Sequence, residues 1–246
     1  VAESTVHAVV LRRRDSGESD RRLTLLTLEE GKIDVVAKGA RKGGSRLAGI
    51  SDPLSAAVLA LASGRHTRFI TQAQPLSSFR GLRSDYERLS FALSLVELYA
   101  AVLPLEQPLP EAYELLISSL RHLEGHAKPL VALLWAEARL LDISGFLPQF
   151  DRCVATAAPF DSGDPFVSPA AGGFITEAAA HSYADRYRVR AEALYALARL
   201  PELDEPPANV KFADEALAAL FPFWRAVAET ALPASEAVVR EVRHGE

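Results

Sequence analysis

Cysteine is all but absent: Cys153 is the only one among 246 residues. No intramolecular disulfide framework can therefore staple the fold, and a reducing, cytoplasmic compartment is expected. Long apolar runs are missing as well. No stretch approaches the roughly 18 uninterrupted apolar residues of a membrane span. The N-terminus shows no apolar signal core with a small-residue cleavage site, which predicts a protein that is not exported. Aromatic residues are scarce in the first 83 positions, where Phe69 and Phe79 stand alone. There is no Gly-x-Ser-x-Gly elbow, His-Glu-x-x-His, dinucleotide fingerprint, EF-hand loop or P-loop ending. Six histidines are scattered; His122 and His126 have the i, i+4 spacing of a metal pair, but Gly125 between them ends the helix that pair would need. Without an acid/base, nucleophile or metal constellation, no enzyme is expected.

What the chain does have is a charge split. Residues 1–83 hold 14 basic and 8 acidic side chains, against 13 and 24 in the remaining 163 residues. The overall net charge of −5 and pI near 5.8 conceal this division. A basic segment joined to an acidic body points to a polyanion-binding module attached to a part with other work to do. Apolar residues at 49% and charged residues at 24% are those of a folded chain long enough for two domains.

The first third reads as strands: Val6–Leu11, Leu23–Leu28, Ile33–Ala37, Leu54–Leu61 and Arg68–Gln74. Gly31 takes the turn position of the second hairpin, and Ser63-Gly64-Arg65-His66 connects the last two strands. Five short strands with tight turns predict a small barrel. The pattern turns helical near Ser84, with a first run through Leu89, Leu93, Val96, Leu98 and Ala101. Further helices are expected at Glu111–Glu124 and Leu130–Ile143, then Glu177–Leu200 and Phe212–Leu232. Residues 149–176 are loop-rich, and a loop of that length in a compact protein has either a function or a local staple. The fold class is thus α+β, divided into a basic barrel at 1–80, helical parts at 81–148 and 181–246, and an insert at 149–180.

Candidate binding residues follow from the charge. Lys38, Arg41, Lys42 and Arg46 sit in a Gly-rich loop, suited to following phosphates through Arg forks and Lys point charges. Arg12, Arg13, Arg14, Arg21 and Arg22 flank the first hairpin connection. They either extend the basic surface, with Arg13, Arg14, Arg21 and Arg22 widening the track, or are neutralised by Asp15, Glu18 and Asp20. Arg65, Arg68, Arg80 and Arg83 form a weaker cluster. In the helical part, Arg121 and Arg139 are candidate cation rims of a protein-binding pocket. Arg186, Arg188 and Arg190 alternate, so a strand would align them and a helix would spread them.

Several stretches carry a family likeness. Asp15 to Arg21, Thr27-Leu28-Glu29-Glu30-Gly31-Lys32, and Ala37-Lys38-Gly39-Ala40-Arg41-Lys42 with Ser45-Arg46 come first. Phe79-Arg80-Gly81-Leu82-Arg83, Glu97-Leu98, Leu140 to Pro148 and Asp151-Arg152-Cys153 follow in order. Together, over roughly residues 5–180, this series resembles the RecO recombination mediators. The resemblance implies an N-terminal OB-fold barrel and an α-helical domain holding a small zinc module. It also implies a bacterial, nucleoid-associated role: binding single- and double-stranded DNA, annealing complementary strands, and acting with RecR to load RecA. Loading takes place on DNA coated by single-stranded DNA-binding protein, whose acidic C-terminal tail would dock on the helical domain.

The zinc module departs from the family pattern of two Cys-x-x-Cys pairs. Cys153 remains, but Thr156 replaces its partner, and the second pair falls at Thr176 and Ala179. Neither residue type replaces a zinc thiolate. The expectation is a degenerate, zinc-ribbon-like insert without cofactor, held by Phe160, Phe166 and Phe174, with Asp151 or His181 as the ligands to consider were zinc present. Scarce aromatics in the barrel predict backbone-dominated binding, indifferent to sequence. Two other classes compete: a protein-binding adaptor whose basic loop docks an acidic partner without DNA contact, and a nuclease, disfavoured by its missing catalytic groups.

Overall fold

Strict alternation of inward apolar residues builds the first part of the chain. In the computed structural model, residues 3–64, 67–160, 163 and 165–244 are described. The chain divides into two compact units, Val1–Glu124 and Gly125–Glu246. Five strands open the first: β1 (Glu3–Ser16), β2 (Asp20–Thr27), β3 (Gly31–Ala37), β4 (Ala56–Ser63) and β5 (Arg68–Ser77). They close a barrel in the order β1-β2-β3-β5-β4, with β1 pairing β4 and β3 running parallel to β5. This is the topology of an OB barrel. Val6, Ala8 and Val10 of β1, Leu23 and Leu25 of β2, Ile33 and Val35 of β3, Leu59, Leu61 and Ile70 fill its interior. Burying each of the larger ones contributes roughly 1.5–3 kcal/mol.

Two barrel features bear on the site. β1 does not stop at Leu11 as the sequence suggests; it continues through the three arginines to Ser16, because a bulge between Val10 and Arg12 lets it stay paired with β2. Gly31 occupies its turn at φ +72°, and a Cβ there would lie 2.0 Å from the carbonyl oxygen of Gln107. The glycine therefore serves both the turn and the close passage of the chain beyond it. Arg65 and His66 lie outside the described residues.

A short helix, α1 (Leu47–Ile50), packs Leu47 and Ile50 against the barrel core. Then α2 (Arg80–Arg83), α3 (Tyr86–Val102), capped by the Asp85 carboxylate accepting from the Arg88 amide, and α4 (Pro110–Gly125) follow. Lys32 of β3 is buried and donates to the Ala100 carbonyl of α3 at 2.7 Å.

In the second unit, α5 (Pro129–Ile143) is buried around nearly its whole circumference, as its apolar sequence predicts. β6 (Phe166–Ser168) and β7 (Gly173–Ile175) form a small sheet with a third strand, β8 (Tyr187–Arg188), in the order β7-β6-β8. The Glu177–Leu200 helix expected from periodicity does not exist as one element. It breaks into α6 (Glu177–Ala180), β8 (Tyr187–Arg188) and α7 (Ala191–Arg199). The break is held by Asp185, which accepts from the Ser168 hydroxyl and the Ala170 amide at 2.6 and 2.7 Å. β8 then pairs with β6. The last expected helix, Phe212–Leu232, ends early as α8 (Ala213–Val227), and a further helix that the periodicity did not announce, α9 (Pro233–His244), follows it.

Candidate nucleic-acid interface

Strand parity sorts the five hairpin arginines into two groups. Beyond the bulge, Arg12 registers with Thr24, Arg13 with Leu23 and Arg14 with Arg22, while Arg22 registers with Val36 and Thr24 with Asp34. Leu23 points into the barrel, so Arg12, Arg14, Arg22, Thr24, Asp34 and Val36 share the outer face. With Arg13 and Thr67 they line a groove of about 250 Å³. Arg14 and Arg22, both exposed, stand directly opposite each other. A cross-strand like-charge pair destabilises a sheet, and a bound anion would relieve it. The groove's carboxylate, Asp34, is engaged by the Thr24 hydroxyl at 2.7 Å.

Arg21 is a correction to the expected track, and Arg13 is shared between the groove and the barrel end. Both reach the end of the barrel, where Arg13 forms an ion pair with Asp52. Arg21 is largely buried and donates to the Ala48 carbonyl (3.0 Å), the Ser51 hydroxyl (2.6 Å) and Asp52 (3.5 Å). They fasten α1 and the following turn to the strands. Arg12, outside the expected track, joins the outer groove. Its signal was present in the alternation but depended on the bulge.

The Gly-rich loop is folded rather than loose. Ala40 is fully buried in the barrel core, and the Gly39 amide donates to Asp20 at 2.8 Å. That bond, the Ser19 hydroxyl and the charges of Lys38 and Lys42 hold the Asp20 carboxyl below its usual range. The Arg41 amide donates to the Ser19 carbonyl and its guanidinium to that of Gly17, with Asp15 3.4 Å away. The loop and the β1–β2 turn thus meet at one end of the barrel. Lys42 and Arg46 are exposed, without an ion-pair partner among the described residues. The Lys38 ammonium lies 3.9 Å from the centre of the Phe69 ring. Elsewhere, Arg68 is paired with Glu30 and Glu106, and Arg83 donates to the Ser78 and Pro53 carbonyls. Arg80 is exposed.

The two proposed protein-binding cations belong to different units. Arg121 is exposed on α4, in the first. Arg139 donates to the Pro201 carbonyl at 2.6 Å, propping the turn after α7. The second unit has an apolar groove of about 510 Å³ along α7, lined by Tyr195, Ala196, Leu200, Leu203, Pro207 and Val210 among others. Its bordering cations are Arg199 and Lys211, not Arg139. Arg188 and Arg190 are aligned by extended chain, lying 4.4 Å over Phe166 and Phe212 and pairing with Glu177 and Glu215. Arg186 donates to the Tyr183 carbonyl. His126 is engaged with the Lys128 backbone, beyond the end of α4.

At the expected zinc position the chain brings three of the four sites together. The Cys153 sulfur accepts from the Thr176 amide at 3.3 Å and lies 3.7 Å from its hydroxyl. Burial pushes this thiol up, but hydrogen bonds from Thr156 and Thr176 outweigh it and bring the pKa to about 7. One thiol and two threonine hydroxyls are not a zinc donor set, so the residues do not fit the metal. Phe160 packs edge-on against Phe174 with centroids 5.8 Å apart, and Arg188 covers Phe166.

Comparison with known proteins places this arrangement. Residues 1–79 match the family described as Recombination protein O N terminal, and residues 83–235 match Recombination protein O C terminal. A protein of Heliobacterium modesticaldum named DNA repair protein RecO is 36% identical over 201 residues, covering 80% of this chain and 73% of the relative. Its namesake in Roseiflexus sp. is 39% identical over 168 residues, 68% of this chain and 59% of the relative. The Bacillus subtilis protein of that name is 33% identical over 148 residues, 59% of this chain and 57% of the relative. With both terminal signatures in order on one polypeptide, the chain belongs to the RecO family.

Proposed function

We propose that the protein is a non-enzymatic mediator of DNA repair and recombination. It binds single- and double-stranded DNA through the barrel, anneals complementary strands and, with RecR, helps load RecA onto DNA coated by single-stranded DNA-binding protein. The observation that carries this reading is the outer groove, where Arg12, Arg14 and Arg22 converge although two of them repel across the strands. Lys42 and Arg46 add cations at the loop. Such a surface neutralises phosphates and releases counterions. Two strands held on it repel each other less, which is the physical requirement of annealing.

The α7 groove supports a tail-docking role. An acidic peptide ending in apolar residues would place its side chains between Tyr195, Leu200 and Leu203, and its carboxylates near Arg199 and Lys211. The Cys153 module stands without zinc, its place taken by the Thr176 bonds and the Phe160–Phe174 contact. Elemental analysis returning one zinc per chain would contradict that part.

Annealing of complementary oligonucleotides in a salt series tests the whole reading. Annealing should be accelerated, and log K for single-stranded DNA should fall with log salt at a slope of roughly −3 if about four phosphates are neutralised. Absence of DNA binding at physiological salt would instead favour the adaptor reading.

A further inference from the structure

We propose that Phe69 is a stacking subsite for an unpaired nucleobase, covered by Lys38 in the free protein and uncovered when the Lys38 ammonium moves to a phosphate. The inference rests on the reading of the barrel as a DNA-binding surface. Phe69 is half-buried on the outer side of β5, where its register neighbours are Val36 of β3 and Ala62 of β4. Val36 and Thr67 both line the arginine groove, so the ring sits at that groove's margin.

The ring is also pre-set. A Cβ built on Gly64 would come 2.9 Å from the Phe69 ring edge, so the backbone passes against it and limits its rotation. A rigid ring needs little ordering when a ligand arrives. Phe79, the other barrel-region aromatic, is only 4% exposed and offers no face. Phe69 is therefore the position where the barrel can meet a base.

Lys38 decides when. Its ammonium lies 3.9 Å from the ring centre, a cation–π contact. An exposed contact of this kind is weak, and a base stacked on an aromatic ring is held more strongly. A DNA strand in the groove offers both halves of the exchange at once, a phosphate for the lysine and a base for the ring. In a duplex the base faces are already stacked on one another, so only the phosphate half is available. The subsite accordingly adds affinity for single strands alone, and it accepts any of the four bases because each has a π-face.

The test compares a thymidine oligonucleotide, an abasic oligonucleotide of equal length and a duplex, for the intact protein, Phe69→Leu and Phe69→Tyr. The intact protein should prefer the thymidine strand over the abasic one by about tenfold. Phe69→Leu should erase that preference while leaving abasic and duplex affinities unchanged, which also shows that the barrel remains folded. Phe69→Tyr, which keeps a ring, should restore it. Retention of the preference in Phe69→Leu, or equal binding of both strands by the intact protein, overturns the subsite while leaving backbone binding intact. Failure to bind all three ligands would sink the DNA-binding reading, and the subsite with it.

Discussion

Reversing Arg12, Arg14 and Arg22 together to glutamate is expected to weaken single-stranded DNA binding by at least about a hundredfold at moderate salt. Each phosphate contact on a single strand contributes roughly 0.7 to the slope of log K against log salt. Loss of three contacts should therefore flatten that slope by about two. Repulsion between three new carboxylates and the phosphates adds to the loss. Charge reversal of Arg21 should behave differently, because its side chain holds Asp52, Ser51 and the Ala48 carbonyl. Its reversal should lower the thermal midpoint of the barrel, with DNA binding lost only as the barrel unfolds.

A single change separates function from stability more sharply still. Arg14→Glu turns the Arg14–Arg22 repulsion into a cross-strand attraction. Such pairs are worth a few tenths to about 1 kcal/mol, so the variant should be slightly more stable than the native protein while binding DNA less well. Opposite signs in thermal melts and binding titrations are the expected signature of a pair kept for its ligand. Reduced stability together with unchanged DNA affinity would show the pair to be merely structural.

The second large effect concerns Glu137, fully buried in α5 and accepting a hydrogen bond from the Trp224 indole at 2.8 Å. Desolvation raises its pKa from 4.5 to about 8, against the lowering influence of that bond. The folded protein thus keeps a proton that the unfolded chain releases above about pH 4.5. The unfolded state binds fewer protons, so stability falls as pH rises between roughly 4.5 and 8. The full contribution is present below the unfolded value and is lost by the time the folded carboxyl ionises.

Glu137→Gln keeps an acceptor for Trp224 but cannot ionise. Its thermal midpoint should match that of the native protein near pH 4 and exceed it at pH 8. The difference at pH 8 should be on the order of a few kcal/mol, given about 1.4 kcal/mol per unit of pKa shift. Parallel pH profiles for the two proteins would show that the carboxyl ionises freely in the folded state.

The sequence was most informative where the physics is local. Gly31 at its turn, the inward alternation of the five strands and the all-round apolar α5 follow from backbone preference and periodicity. It misled where a helical pattern competed with longer-range bonds. Residues 177–200 carry helical spacing, yet the Asp185 bonds and the β8–β6 pairing outweigh that propensity. The same pairing answers the open question of Arg188 and Arg190, which extended chain aligns on separate aromatic rings.

By itself the sequence determined the division of charge, the barrel and the helices beyond it, and the presence of a single cysteine, because each is written in residue identity or short-range period. Only the tertiary structure decided which cations are available. Arg21 is spent on the barrel end and Arg13 is divided between that end and the groove, while Arg12, Arg14 and Arg22 share the outer groove. One bulge in β1 shifts the parity of the arginines that follow it, and parity acquires meaning only once a partner strand fixes the register.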